Sequence, residues 1–250
     1  MSFTRFSCFL TLGFFIVLRF SSAIAWADTE KGKRLVINIS CLDRLYIGTR
    51  YTLEGRIQNI SPWPKGLQVS TDSKGTIHLE RNTCPDGGAL NIVTASRMPI
   101  IITNAGNATM TIEPHLGAPV AVHVGSGPAL LGNAEELDVF SNASGPITIP
   151  LLTTSARIHS IGSAVITIQR VQATALSIFL GGSSRFMMKK GHIKALEIIS
   201  ESSGDAFFHG ESGVTALHVL GKGSITVDRV SGSVATERDG PGKIFYTSVP

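Results

Sequence analysis

Ala175-Leu176-Ser177-Ile178-Phe179-Leu180-Gly181-Gly182-Ser183-Ser184-Arg185-Phe186-Met187-Met188 is followed 20 residues later by Ala195-Leu196-Glu197-Ile198-Ile199-Ser200-Glu201-Ser202-Ser203-Gly204-Asp205-Ala206-Phe207-Phe208. Both stretches have one plan: a short apolar strand, a turn of small polar residues, and a second short strand. A third copy runs through Leu217-His218-Val219, Gly221-Lys222-Gly223-Ser224 and Ile225-Thr226-Val227. Toward the N-terminus the plan recurs as Leu137-Asp138-Val139, Asn142-Ala143-Ser144-Gly145 and Ile147-Thr148-Ile149, and Ala89-Leu90-Asn91-Ile92 opens an earlier unit. The starts Leu176, Leu196 and Leu217 are 20 and 21 residues apart, and Leu137 and Ile158 are also 21 apart.

A period near 20 with two strands per unit is the mark of a coil in a solenoid. One coil cannot bury its apolar residues alone. Coils stacked about 4.8 Å apart put Leu on Leu and Ile on Ile, and pair every backbone group between rungs. No 3.6-residue period is sustained, so helices do not build the repeat. The expected fold is all-β, a right-handed parallel β-solenoid (β-helix) with coils of about 20 residues; a β-sandwich is the alternative, since its short strands and turns read similarly.

The first residues need separate treatment. Met1–Arg5 carries one positive charge, Phe6–Leu18 is almost wholly apolar, and Ala25 and Ala27 are small residues at the spacing of a cleavage site. This predicts a signal peptide over 1–27, cut between Ala27 and Asp28, and a flexible leader over 28–34. The apolar run is shorter than the roughly 20 residues a spanning helix needs, and Arg19 interrupts it. Removing the signal takes Arg5 and Arg19 with it, so the net charge falls from +4 to +2. Half of the 12 phenylalanines leave as well. No nucleic-acid partner is implied by so small a charge. No lipid-attachment box surrounds Cys8, which leaves a periplasmic, secreted or cell-surface protein with no transmembrane segment in the mature chain. In an oxidising compartment the remaining cysteines, Cys41 and Cys84, are expected to pair.

The single solenoid domain is expected over 35–250. Alternation begins at Leu35, Ile37 and Ile39, but Ser61-Pro62-Trp63-Pro64 and Cys84-Pro85-Asp86-Gly87-Gly88 break it. Residues 35–88 therefore read as an irregular N-terminal or capping part, and 89–250 as regular coils. The Gly/Ser-rich turns between short Val/Ile/Leu strands, closing with Gly242-Lys243-Ile244-Phe245-Tyr246, resemble the auto-transporter adhesin head domain family, also called the GIN domain or DUF2807. That resemblance covers Leu35 to Pro250. It implies an exported, adhesin-like parallel β-helix and carries over no catalytic residue. The family's Gly-Ser-Gly turn is intact only at Gly125-Ser126-Gly127.

Chemistry is sparse. No Gly-x-Ser-x-Gly elbow and no phosphate loop occur. No cofactor is called for. The histidines form no metal motif; His209 and His218 are the pair best placed to meet across rungs, and ordinary exposed histidines are the simpler reading. A carbohydrate-active enzyme, a polysaccharide lyase or hydrolase on a β-helix, is the alternative function. It needs grouped carboxylates, and Asp138, Glu197, Asp205 and Asp228 fall at different offsets in their repeats. Arg185, Lys189, Lys190 and Lys194 form a local basic run that suits an anionic partner. Phe186, Phe207 and Phe208 are expected in the core. The leading expectation is a non-enzymatic exported solenoid that presents a lateral face to an envelope polysaccharide or surface protein.

Overall fold

A computed structural model describes residues 34–83 and 86–248. The expected signal peptide over 1–27, its expected cleavage point between Ala27 and Asp28, the expected leader up to residue 33, and Cys84 lie outside the described residues. No helix among the described residues is long and apolar enough to cross a membrane.

Every regular element among the described residues is a strand. The N-terminal ones are β1 (Leu35–Ile39), β2 (Arg44–Arg50), β3 (Ile57–Asn59), β4 (Gln68–Thr71), β5 (Ile77–Arg81) and β6 (Ala89–Ala95). There follow β7 (Ile100–Asn104), β8 (Thr109–Ile112), β9 (Val120–Val124), β10 (Ala129–Leu131), β11 (Glu136–Ser141), β12 (Ile147–Ile149), β13 (Ser155–Ser160) and β14 (Val165–Ile168). The last are β15 (Val171–Leu180), β16 (Arg185–Met188), β17 (Gly191–Ser200), β18 (Ala206–Val219), β19 (Ile225–Val230), β20 (Val234–Arg238) and β21 (Ile244–Ser248).

Parallel pairing arranges these strands on stacked faces. The first face runs β5–β1–β7–β9–β11–β13–β15–β17–β18–β20. The second runs β6–β2–β8–β10–β12–β14–β16–β18–β19–β21. A third, short face joins the beginnings of β15 and β17, the middle of β18 and the end of β19. β18 shows the coil in one strand: Ala206–Phe208 lies on the second face, Glu211 and Ser212 on the third, and Thr215–Val219 on the first. The chain is a parallel β-solenoid, as the repeat requires.

The register corrects the alignment of the repeat. Leu137 stacks on Ala156, Ala156 on Leu176, Leu176 on Leu196, and Leu196 on Thr215. Leu217 therefore lies above Ile198, and Ile158 above Val139, rather than on the leucines they were expected to match. Equal spacing of apolar residues is ambiguous by two positions, because a strand repeats itself every two residues. Ala89–Ile92 also changes place: β6 belongs to the second face, with β12 and its kin, not to the face of β11.

Inside, large residues alternate with small ones. Ala156 sits between Leu137 and Leu176, and Phe186 between Ile166 and Ala206. All six are at most 6% exposed, so volume is balanced from rung to rung. Phe207, in contrast, points outward above Met187, so the three phenylalanines do not stack on one another.

The corners explain the glycines. A Cβ on Gly223 would lie 2.0 Å from the Gly204 carbonyl oxygen, and one on Gly242 would lie 2.1 Å from that of Gly223. At Gly191 the backbone adds a φ of +137°, with the Val171 carbonyl oxygen 1.8 Å from the missing Cβ. Only glycine tolerates both conditions. Gly125-Ser126-Gly127 is such a corner, since the Gly106 carbonyl oxygen lies 1.9 Å from where a Gly125 Cβ would be. The corner serines face inward: Ser160 and Ser184 hydroxyls lie 2.8 Å apart, and Ser202 donates to the Ser184 carbonyl at 2.7 Å.

The N-terminal end is threaded out of order. β5 and β6 lie outside β1 and β2, which are sandwiched against β7 and β8. On the outer rung, β4 pairs antiparallel with β5 and β3 antiparallel with β6. The part expected to be irregular thus holds three rung strands of the first two rungs and two antiparallel strands that cover their edge. Covering an edge in this way removes a template for uncontrolled strand pairing.

His115 is buried at the inner corner of this end. Its Nε2–H donates to the Met98 carbonyl at 2.6 Å, and its Nδ1 accepts from the Thr49 hydroxyl at 3.2 Å. Burial holds the imidazole below its ordinary pKa, partly offset by the Met98 contact. The unfolded chain then binds a proton first as pH falls. Stability is full above the unfolded value near 6.5 and declines as pH drops below it, by at most about 1.4 kcal/mol per pH unit. Thermal midpoints between pH 7.5 and 5 are expected to fall, and His115→Gln is expected to flatten that slope. A midpoint insensitive to pH in the native protein contradicts this assignment.

Candidate functional site

Outward-facing residues on the first face form rows along the solenoid axis. In one row His123, Phe140, His159 and Phe179 occupy successive rungs. Their ring centroids are 4.9, 5.4 and 4.5 Å apart; the first pair meets edge to face and the other two stack. The sequence carries a legible signal for this row outside the leucine spacing of the repeat. Each ring sits between two inward residues, as in Val122-His123-Val124, Val139-Phe140-Ser141, Ile158-His159-Ser160 and Ile178-Phe179-Leu180. In the two stacked pairs the rings cover one another's faces, so the row binds rung to rung.

The same row continues through Ile199 to His218 and Glu237. His218 Nε2 is 2.9 Å from Asp239 Oδ2, and its Nδ1 is 3.7 Å from Glu237 Oε2. His209 does not join it. That residue lies at the far corner of β18, where its Nδ1 is 3.3 Å from Asp228 Oδ1. A depression of about 450 Å³ lies beside His218, floored by Ala216 and Ala235 and walled by Glu197 and Glu237.

The four acids considered for glycoside cleavage do not converge. Asp138 and Glu197 share a row but are separated by Arg157 and Ser177. Three rungs at about 4.8 Å put them roughly 14 Å apart, beyond the roughly 5–9.5 Å of a glycosidase carboxylate pair. Asp205 Oδ1 accepts the Ser224 N–H at 2.8 Å at a corner of the second face. Asp228 is engaged with His209.

The basic run is spread around one coil. Arg185 opens β16 on the second face, Lys189 and Lys190 turn the corner onto the third, and Lys194 turns the next corner onto the first. All four are exposed. Stacking adds neighbours that the linear run lacks. Val171 N–H donates to the Lys190 carbonyl at 3.0 Å, which places Arg170 beside Lys190 on the adjacent rung. On the third face Gln172, His192, Glu211 and Arg229 form one outward row. An open depression of about 580 Å³ is lined there by His192, Lys194, Glu211, Arg229 and Ser231, with Gly191 and Gly213 at its floor. One acid enters it, Glu211, whose carboxylate is 3.5 Å from Arg229.

The fold and these faces define a β-solenoid with shallow lateral surfaces. Two solved structures share that fold, both from Parabacteroides distasonis ATCC 8503. One, a "putative adhesin", superposes with a TM-score of 0.57 at 13% identity, covering 86% of this chain and 93% of the other. The second, described as a "putative lipid binding protein", gives 0.51 at 14% identity with the same coverage. At such identities the likeness is one of fold. No family model matches the chain, so the resemblance to DUF2807 has no family match behind it. No curated protein matches either.

Proposed function

We propose that this protein is exported and non-enzymatic, and that it binds an acidic envelope polysaccharide through the third face of the solenoid. The observation that carries the reading is the depression where Lys194, His192 and Arg229 meet, flanked by the Arg170–Lys190 corner. Cationic side chains on a flat stacked surface attract an extended polyanion along several rungs without a closed pocket. The scattered carboxylates speak against a glycosidase. The adhesin description of one structural neighbour agrees with the reading. Export through the 1–27 signal and a Cys41–Cys84 disulfide belong to the same proposal.

A glycan array run beside anionic phospholipid vesicles, with a reducing-sugar assay on every ligand found, tests it. Binding to uronate-bearing or sulfated glycans without new reducing ends is expected, and raising the salt concentration should weaken it. Turnover of any polysaccharide overturns the non-enzymatic reading, and binding to vesicles alone moves the partner to lipid.

A further inference from the structure

His218, Glu237 and Asp239 are the three potential metal ligands that the described residues bring together, their ligand atoms all within 4.8 Å of one another. The solenoid register makes the juxtaposition. Glu237 lies directly above His218 where β20 pairs with β18. Asp239, just past the end of β20, is tied back by its N–H to the Val219 carbonyl at 2.9 Å. We propose that these residues form a site for one divalent transition-metal ion, with Zn²⁺ the best match. His218 binds through Nε2, the nitrogen already 2.9 Å from Asp239. Asp239 and Glu237 supply carboxylate oxygens, and water completes the shell.

The donor set selects the class of ion. An imidazole with two carboxylates suits Zn²⁺ and its neighbours, whereas Ca²⁺ takes six or more oxygens. Tetrahedral bonds of about 2.0–2.1 Å place ligands roughly 3.4 Å apart, so the widest pair must close by at most about 1.4 Å. Glu237 and Asp239 have that freedom, because their side chains are 67% and 58% exposed. His218 is the fixed member, its side chain 26% exposed in the row above Ile199. The alanine-floored depression is lined by His218 and Glu237, which leaves room beside them for water or a small anion. An ion there ties β20 to β18 at the C-terminal end of the first face. His209, with the single carboxylate of Asp228 beside it, is a built-in comparison.

Calorimetric titration of the purified protein, free of any histidine tag, with ZnCl₂ tests the site, and Co²⁺ absorption reports coordination. One equivalent of saturable binding is expected, with a rise in thermal midpoint at saturating Zn²⁺. His218→Ala and Asp239→Asn should each weaken binding at least about tenfold, while His209→Ala leaves it unchanged. All these positions face solvent, so the variants should fold. Absence of saturable binding, or equal affinity in the His218→Ala and native proteins, overturns the proposal.

Discussion

Phe208→Ala is expected to destabilise the protein by about 3–5 kcal/mol and to lower its thermal midpoint by roughly 10 °C. Phe208 is fully buried, stacked between Met188 and Val227 on neighbouring rungs. The lattice of rungs is fixed by backbone pairing, so neighbours cannot collapse into the space left behind. The adjacent Phe207 points outward, and Phe207→Ala should cost far less. Chemical denaturation of the two variants checks the contrast. Equal losses would mean that the register of β18 is displaced by one residue.

The second large effect is expected at Arg81, which is only 3% exposed. Its Nη1 donates to the Cys41 carbonyl at 2.7 Å and to that of Gly87 at 2.9 Å, and its Nη2 donates to the Asp86 backbone carbonyl at 2.5 Å. One guanidinium thus clamps the segment between β5 and β6 onto the turn between β1 and β2. Arg81→Met keeps the volume and removes the donors, so the part-buried carbonyls of Cys41, Asp86 and Gly87 lose their charged partner, at a cost of about 1.5–3 kcal/mol. Arg81→Lys should recover only part of this, because an ammonium lacks the planar fork that spans three acceptors. Urea denaturation and hydrogen exchange across β6 are the measurements. An Arg81→Met protein with native stability and native protection in β6 would contradict the clamp.

Much of the fold was legible because strand stacking repeats residue classes at a near-constant interval. Leu176 over Leu196 is an example in which sequence spacing and register coincide. The same logic fails by two residues at Leu217, since in and out alternate with a period of two and the coil shortens between β17 and β18. It also misses the threading of β5 and β6 outside β1 and β2, because periodicity carries no information on the order in which rungs are laid down. Arg81 has no sequence signature for a related reason. Its partners are backbone carbonyls, which leave no trace in residue types.

The candidate sites were legible only in part. Lys189, Lys190 and Lys194 were visible as a linear run, but the rungs place Arg170 and Arg229 beside them and leave Arg185 on another face. His218 was visible as a histidine, but its carboxylate partners come from β20 and the residue after it, 19 and 21 residues away. Contacts between rungs join residues about 20 apart, so a local motif search does not see them.

The most direct test of the proposed function compares the native protein with a Lys194→Glu/Arg229→Glu variant for binding to an acidic polysaccharide, with product release followed in the same samples. Both side chains are exposed, so the variant should keep the native thermal midpoint to within a few degrees. The account predicts saturable, salt-sensitive binding by the native protein, loss of that binding in the variant, and no new reducing or unsaturated ends with either. Undiminished binding by a folded variant, or release of cleaved products by the native protein, would contradict it.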